Sequence, residues 1–373
     1  MSLRRHASIL RWLGPTAPPT AIPPGIARTE ITVPHREPFR AWVYRRQDRA
    51  PMGAVLVSPG LHYAGPEDVR FDRFCRVLAR SGALVLAPFL PTYLRMDVEP
   101  SAIDELESAL DALLALPDRP RRPPSVFSIS FGSMPALRLA GRRGEELSSV
   151  VVFGGFGGFE RTLRFALRGD AALRGDAALR GDATGERKHD PLNAPVVVQN
   201  LLRFVEPSLS DADRSAVRAA FRRYCAMTWG RQEMKVERAF EKPARAVAAE
   251  LEEPLATFFL KATRCEEGIE SIVEDALARS NGAFSWIDPA PHLGRLRVPV
   301  TLVHGRDDDV IPFEESIALH RALVATGSDV QLHLTGMFGH TGKASLGDLW
   351  ARAGESAAEA RAMVAMLRAL GSL

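Results

Sequence analysis

The segment Val126–Leu137 reads VFSISFGSMPAL. An apolar, β-like run breaks at Ser-Ile-Ser-Phe-Gly-Ser (128–133) and resumes with helical spacing. Small residues therefore stand at 128, 130, 132 and 133, in the middle of a hydrophobic stretch. One reading is a tight strand-to-helix turn that raises a nucleophilic serine, Ser130. In such a turn the residues two before and two after the serine, here Ser128 and Gly132, must be small so that strand and helix can approach. The other reading is an ordinary buried strand followed by a serine-rich helix cap. The pattern S-x-S-x-G recurs by chance, so the flanking sequence has to decide.

The flanks alternate. RTEITVP (28–34), FRAWVYRR (39–46) and GAVLVSPG (53–60) read as strands. PEDVRFDRFCRVLARSG (66–82) reads as a helix, with Val69, Phe74, Val77 and Leu78 on one face and Gly82 as its stop. ALVLAPFLP (83–91) is a continuous apolar run, as in a strand buried on both faces. SAIDELESALDALLALP (101–117) spaces Ile103, Leu106, Leu110 and Leu113 as a helix capped by Ser101. The strand SVFSIS, the helix SMPALRLAGRRG and the strand SSVVVFGGFGG follow. Strands alternating with helices of about a dozen residues build βαβ units and a parallel sheet, an α/β fold.

The alternation stops near Glu160 and returns at VPVTLVHG (298–305), FEESIALHRALVATG (313–327) and DVQLHL (329–334), with a last helix to the C-terminus. The expected organisation is an irregular Pro-rich segment over 1–27, an α/β core over 28–158 and 293–373, and an inserted helical cap over 159–292. Inserts of this size in a compact fold usually serve as covers or lids. APVVVQNLLRFV (194–205) and EPLATFFLKA (253–262) are apolar enough to pack on the sheet domain. Within the insert, ALRGDAALRGDAALRGDATG (166–185) repeats a six-residue unit, too short a period for a solenoid, and a flexible excursion is expected. Tandem expansion of one hexamer accounts for its three Arg-Gly-Asp copies without any adhesive role.

Two further strand ends carry chemistry. LVHGRDDDVIPFEES (302–316) leaves a strand through His-Gly into an acidic cluster, Asp307, Asp308 and Asp309. LHLTGMFGHTG (332–342) leaves another through a glycine-flanked histidine, His340. Serine, then aspartate, then histidine, each beyond the end of its own strand, would meet on one rim of a parallel sheet. A serine hydroxyl is a weak nucleophile unless a base takes its proton, which His340 would do. A carboxylate would hold that imidazole in its working tautomer.

Ser128-Ile-Ser130-Phe-Gly132, Gly305-Arg-Asp-Asp308-Asp-Val-Ile-Pro312 and Gly339-His340 together resemble the α/β-hydrolase superfamily, over roughly residues 28–158 and 293–371. Ser128 departs from its usual glycine; the acid motif is the most faithful. The resemblance implies an α/β-hydrolase core with a mostly parallel sheet, a cap where the insert lies, and a triad of Ser130, Asp308 and His340. The spacing of the family's acid motif selects Asp308 from the three aspartates. VLVSPGLHYAG (55–65) looks like the family's oxyanion loop, which makes Leu61 and Phe131 the implied N–H donors. His62 and Tyr63 are then candidates to line the pocket and touch substrate. The expected reaction is hydrolysis of a carboxylic ester or thioester with a small to medium hydrophobic acyl group. Acyl transfer on the same fold, or a non-catalytic binding protein, are the alternatives. A serine at 130 argues against the branches with an aspartate nucleophile.

The chain has 373 residues, 46% hydrophobic and 25% charged, with a net charge of +3. That is ordinary globular material, with no basic block for nucleic acid and no run long enough to span a membrane. Cys75, Cys225 and Cys265 are few, odd in number and far apart, which points to buried thiols in a reducing, cytoplasmic setting rather than to disulfides. GGFGGF (154–159) lacks both the Walker lysine and the dinucleotide spacing, so a close turn is expected there. His292, His304 and His333 have no metal spacing, and neither metal nor cofactor is expected. A small ester or thioester is the expected partner; the oligomeric state is open.

Overall fold

A computed structural model describes residues 7–9, 11–12, 20–169, 189–205 and 209–336. Eight strands form one sheet: β1 (Ile26–Val33), β2 (Phe39–Arg46), β3 (Gly53–Ser58), β4 (Ala83–Pro88), β5 (Ser125–Ile129), β6 (Ser149–Phe153), β7 (Val300–Gly305) and β8 (Val330–Thr335). Their order is β1-β2-β4-β3-β5-β6-β7-β8. β2 runs antiparallel to both its neighbours, and every other pairing is parallel.

Strand β3 sits between β4 and β5, so the chain winds away from it first to one side and then to the other. This is the topological switch point, where the loops leaving adjacent strands part and open a crevice. Ser58 at the end of β3 is level with Ser128 of β5, which brings the loop after β3 beside the turn after β5.

Buried strands need apolar residues on both faces. Val126, Val150, Val152 and Leu302 join the core on one face of the sheet; Phe127, Val151 and Val303 join that on the other. Helix α1 (Val69–Arg80), capped by Asp68, which accepts from Arg70 and Phe71 N–H, packs on the second face. Its buried stripe includes Phe71, Cys75, Leu78 and Ala79. Val69, expected on that stripe, is 78% exposed. At 100° per residue it stands half a turn from Leu78. Helix α2 (Ser101–Leu114) and helix α3 (Ser133–Arg143) cover the first face. Ser101 does not cap α2 as expected: Pro100 holds the cap position, and the Ser101 hydroxyl bonds Thr92 Oγ1 at 2.7 Å.

Between β6 and β7 the described residues form helices and turns only. These are α4 (Phe159–Arg168), α5 (Ala194–Val205), α6 (Asp211–Thr228), α7 (Glu241–Ala248), α8 (Leu255–Ala262) and α9 (Ile269–Ser280). A capping box between Ser210 and Asp213 starts α6. Helix α10 (Phe313–Ala325) then links β7 to β8. Most of the hexamer repeat, from residue 170 to 185, lies outside the described residues. Among those described, no helix is long and apolar enough to cross a membrane. All three cysteines are free thiols.

Candidate active site

Strand β5 ends at Ile129, and Ser130 takes φ = 54°, the left-handed region that side chains with a Cβ avoid. The helical turn Ser130–Gly132 follows at once and runs into α3. Gly132 is required by contact: a Cβ there would lie 2.4 Å from Pro59 O and 2.7 Å from Ser58 O. The Ser58 hydroxyl donates to Gly132 O at 2.9 Å, fastening the loop after β3 onto the turn. Ser128 is fully buried, and its hydroxyl donates to Val151 O at 3.3 Å. A serine thus fits where a glycine is usual, because its one polar group is satisfied within the sheet.

The loop after β3 runs directly beside the serine; a Cβ on Gly60 would sit 3.4 Å from Ser130 Cβ. Leu61 and Phe131 both border the same cavity as Ser130. The Tyr93 hydroxyl donates to Phe131 O at 2.8 Å and so pins the residue after the serine. Nothing in the spacing around Tyr93 marks it in the sequence; only the fold brings it there.

The cavity encloses about 490 Å³. Core residues Leu61, Phe131 and Val310 line it together with Phe159, Leu163, Leu192, Val196 and Trp229 from the insertion. His62 lines it too, and its Nδ1 accepts from Ala64 N at 3.1 Å. Burial holds the His62 imidazole below its ordinary pKa, with the Asp68 carboxylate, 3.6 Å from Nε2, pulling the other way and Arg70 reinforcing burial. Tyr63 does not line the cavity. It stacks on His62 at 4.7 Å between ring centroids and reaches Ala226 O in the insertion at 3.5 Å. Trp229 also approaches His62, its ring tilted and its centroid 5.8 Å away, and its indole N–H donates to Leu192 O at 2.7 Å.

Asp308 follows β7 and is buried. Its Oδ1 accepts the N–H of Val310 at 2.9 Å and of Ile311 at 2.8 Å, while Oδ2 lies 3.4 Å from His304 Nε2. It packs against the end of β6, where a Cβ on Gly154 would meet Oδ2 at 3.6 Å. Asp309 turns away to Lys235 Nζ at 3.1 Å, and the same ammonium lies 2.7 Å from Asp190. Asp190 N also donates to Asp309 O at 3.0 Å. The insertion is thereby tied to the acid loop. His340 lies outside the described residues.

GGFGGF leaves β6 as an irregular bend packed tightly on α10, where a Cβ on Gly157 would lie 3.0 Å from Glu315 O. Its Gly157 and Gly158 amides donate to the buried Glu315 carboxylate at 3.0 and 2.6 Å, and Arg161 Nε donates to the other oxygen at 2.7 Å. Among the described residues no group of three or more His, Cys, Asp or Glu is placed to hold a metal ion.

Residues 266–355, about a quarter of the chain, match the model of the prolyl oligopeptidase family. No curated protein matches the sequence. Among solved structures, an acylaminoacyl peptidase of Pyrococcus horikoshii is 11% identical, with a TM-score of 0.45, over 85% of this chain and 38% of that one. A puromycin-hydrolyzing peptidase of Mycobacterium tuberculosis is 14% identical, with a TM-score of 0.49, over 93% of this chain and 39% of that one. A dienelactone hydrolase-like promiscuous phosphotriesterase from metagenomic libraries is 14% identical, with a TM-score of 0.44, over 94% and 99%. The chain thus spans about two fifths of the length of the two peptidases. A sheet with one reversed second strand and a switch point beside β3 sets a left-handed serine against the loop that follows β3, and that architecture is the α/β-hydrolase fold.

Proposed function

We propose that the chain is a serine hydrolase that cleaves a carboxylic ester or thioester of a small to medium hydrophobic acyl group. Ser130 Oγ attacks the acyl carbon as His340 takes its proton; Asp308 holds the imidazole and balances the imidazolium. The N–H groups of Phe131 and Leu61 receive the developing oxyanion. His340 then returns the proton to the leaving alcohol or thiol, and water cleaves the acyl-enzyme by the same route. Residues 159–292 act as the cap, and their apolar side chains, with His62, select the acyl group. Three free thiols fit a reducing, cytoplasmic setting.

The observation that carries this reading is a strained, buried Ser130 at the edge of a largely apolar cavity. Strain at one polar residue persists where the surroundings over-determine it, and such residues cluster at reacting centres. The match to the prolyl oligopeptidase family favours a second reading, cleavage of a peptide or amide bond by the same triad.

A fluorophosphonate probe is expected to label the wild type and not Ser130→Ala, with turnover in that variant down by several orders of magnitude. Absence of label on well-folded wild type, or full turnover without Ser130, rejects a serine hydrolase. Short- and medium-chain aryl esters and acyl thioesters, run beside aminoacyl and peptidyl arylamides, separate the two readings. Faster cleavage of the arylamides would replace the esterase by the peptidase.

A further inference from the structure

We propose that His304 is a positioning residue for Asp308: its buried ring gives a fixed Nε2–H to the Ile311 carbonyl and so holds in register the loop whose amides bind the carboxylate. The inference rests on the assignment of Asp308 as the acid of the triad.

His304 lies on β7, fully buried, and does not border the cavity, so it cannot touch substrate. Its Nδ1 is 2.6 Å from Ser316 Oγ on α10. Its Nε2 is 2.9 Å from Ile311 O and 3.4 Å from Asp308 Oδ2. A backbone carbonyl never supplies a proton, and an ionised carboxylate has none to give. Nε2 therefore carries the ring proton, however Nδ1 and Ser316 divide theirs. The serine has one proton and two acceptors within reach, Nδ1 and Gly155 O at 3.2 Å.

The arrangement interlocks. Ile311 gives its N–H to Asp308 Oδ1 and takes the Nε2–H of His304 on its carbonyl, so ring, loop and carboxylate share one hinge point. Of the charges nearby, Glu315 is bound by Gly157, Gly158 and Arg161, and Asp309 by Lys235. A buried polar ring is costly unless its bonds are made. Leucine or phenylalanine would fill the space at lower cost, but neither offers an N–H to the Ile311 carbonyl.

The test measures kcat and KM on one aryl ester for His304→Leu and His304→Gln, alone and with Asp308→Asn. His304→Leu is expected to lower kcat about 10- to 100-fold, the usual loss for residues that orient a reacting group, with KM within about twofold. His304→Gln, whose amide can place an N–H near the Nε2 position, restores most of it. With Asp308→Asn already in place, His304→Leu should cost less than about twofold more, because residues that act as one unit are not additive. Losses that multiply, or an unchanged kcat in His304→Leu, overturn the proposal alone. Asp308→Asn at wild-type turnover removes the acid assignment and the proposal with it. The ¹⁵N spectrum of the wild type gives a measurement independent of activity: a protonated Nε2 signal absent from His304→Gln is expected, and an unprotonated Nε2 overturns the proposal.

Discussion

Ser130 and Gly132 obey opposite steric demands two positions apart. Ser130 keeps a side chain where the backbone favours glycine, at φ = 54°. A non-glycine residue there costs about 1–3 kcal/mol. Ser130→Gly should thus unfold at higher urea than Ser130→Ala, by about 1 kcal/mol, although both remove the hydroxyl. Equal stabilities would show that the turn stores no strain. Gly132 is glycine for lack of space, since the atoms a methyl group would strike are backbone carbonyls. Gly132→Ala should cost about 1–3 kcal/mol or more in urea unfolding, the range for overpacking. Gly294→Ala, with nothing within 4 Å, should stay within about 0.5 kcal/mol of wild type. Both residues are legible in the sequence because a turn of this type dictates them by spacing. Tyr93 and Ser58 are not, because each bonds a residue far along the chain, and His304 is not, because its partners Ser316 and Ile311 reach it only once β7, α10 and the intervening loop pack together.

At the scale of elements, the acid loop and the insertion meet at Lys235. Burial works to lower the pKa of this ammonium, but Asp190 and Asp309 outweigh it and raise it above the ordinary 10.5. A cation whose folded pKa is raised stabilises fully below its unfolded value, and that contribution fades as pH rises through the folded one. Lys235→Met should therefore destabilise at neutral pH and converge on the wild type only above about pH 10.5. The loss expected in urea unfolding at neutral pH is about 1–2 kcal/mol. That is less than for a sealed ion pair, because the Lys235 side chain remains 19% exposed. A difference between the two proteins that does not change with pH would mean that Lys235 acts by packing. The sequence pattern marks Asp307 to Asp309 as one acidic cluster; the fold divides it, turning Asp308 inward to backbone amides and Asp309 outward to the insertion.

For the whole molecule, burial leaves a mark on its histidines. His62, His292 and His333 are held below their ordinary pKa, chiefly by burial, and His189 is pushed to about 4 by burial and the nearby Arg264. The unfolded chain takes protons on these rings first as pH falls, so stability is lost from about pH 6.5 toward 4. The urea midpoint should be lower at about pH 5 than at neutral pH, and His189→Gln should narrow that gap. An unchanged gap in the variant would assign the acid loss to the other rings and to carboxylates. The same scale explains where the cavity lies. It opens where the strand order reverses beside β3, so loops separated by about seventy residues face one another.

The sequence alone determined the α/β architecture, because periodicity of two and of 3.6 residues is local and burial on both faces of a strand is written in continuous apolar runs. It also determined the turn at Ser130, whose small neighbours are dictated by sterics within a few residues. Tertiary structure decided the rest: that Asp309 turns to the insertion, that His62 borders the cavity while Tyr63 stacks on it, and that Lys235 bonds Asp309 and His304 bonds the Ile311 carbonyl. Those outcomes depend on contacts between elements far apart in the chain, whose energies come from geometry and desolvation that no local pattern encodes.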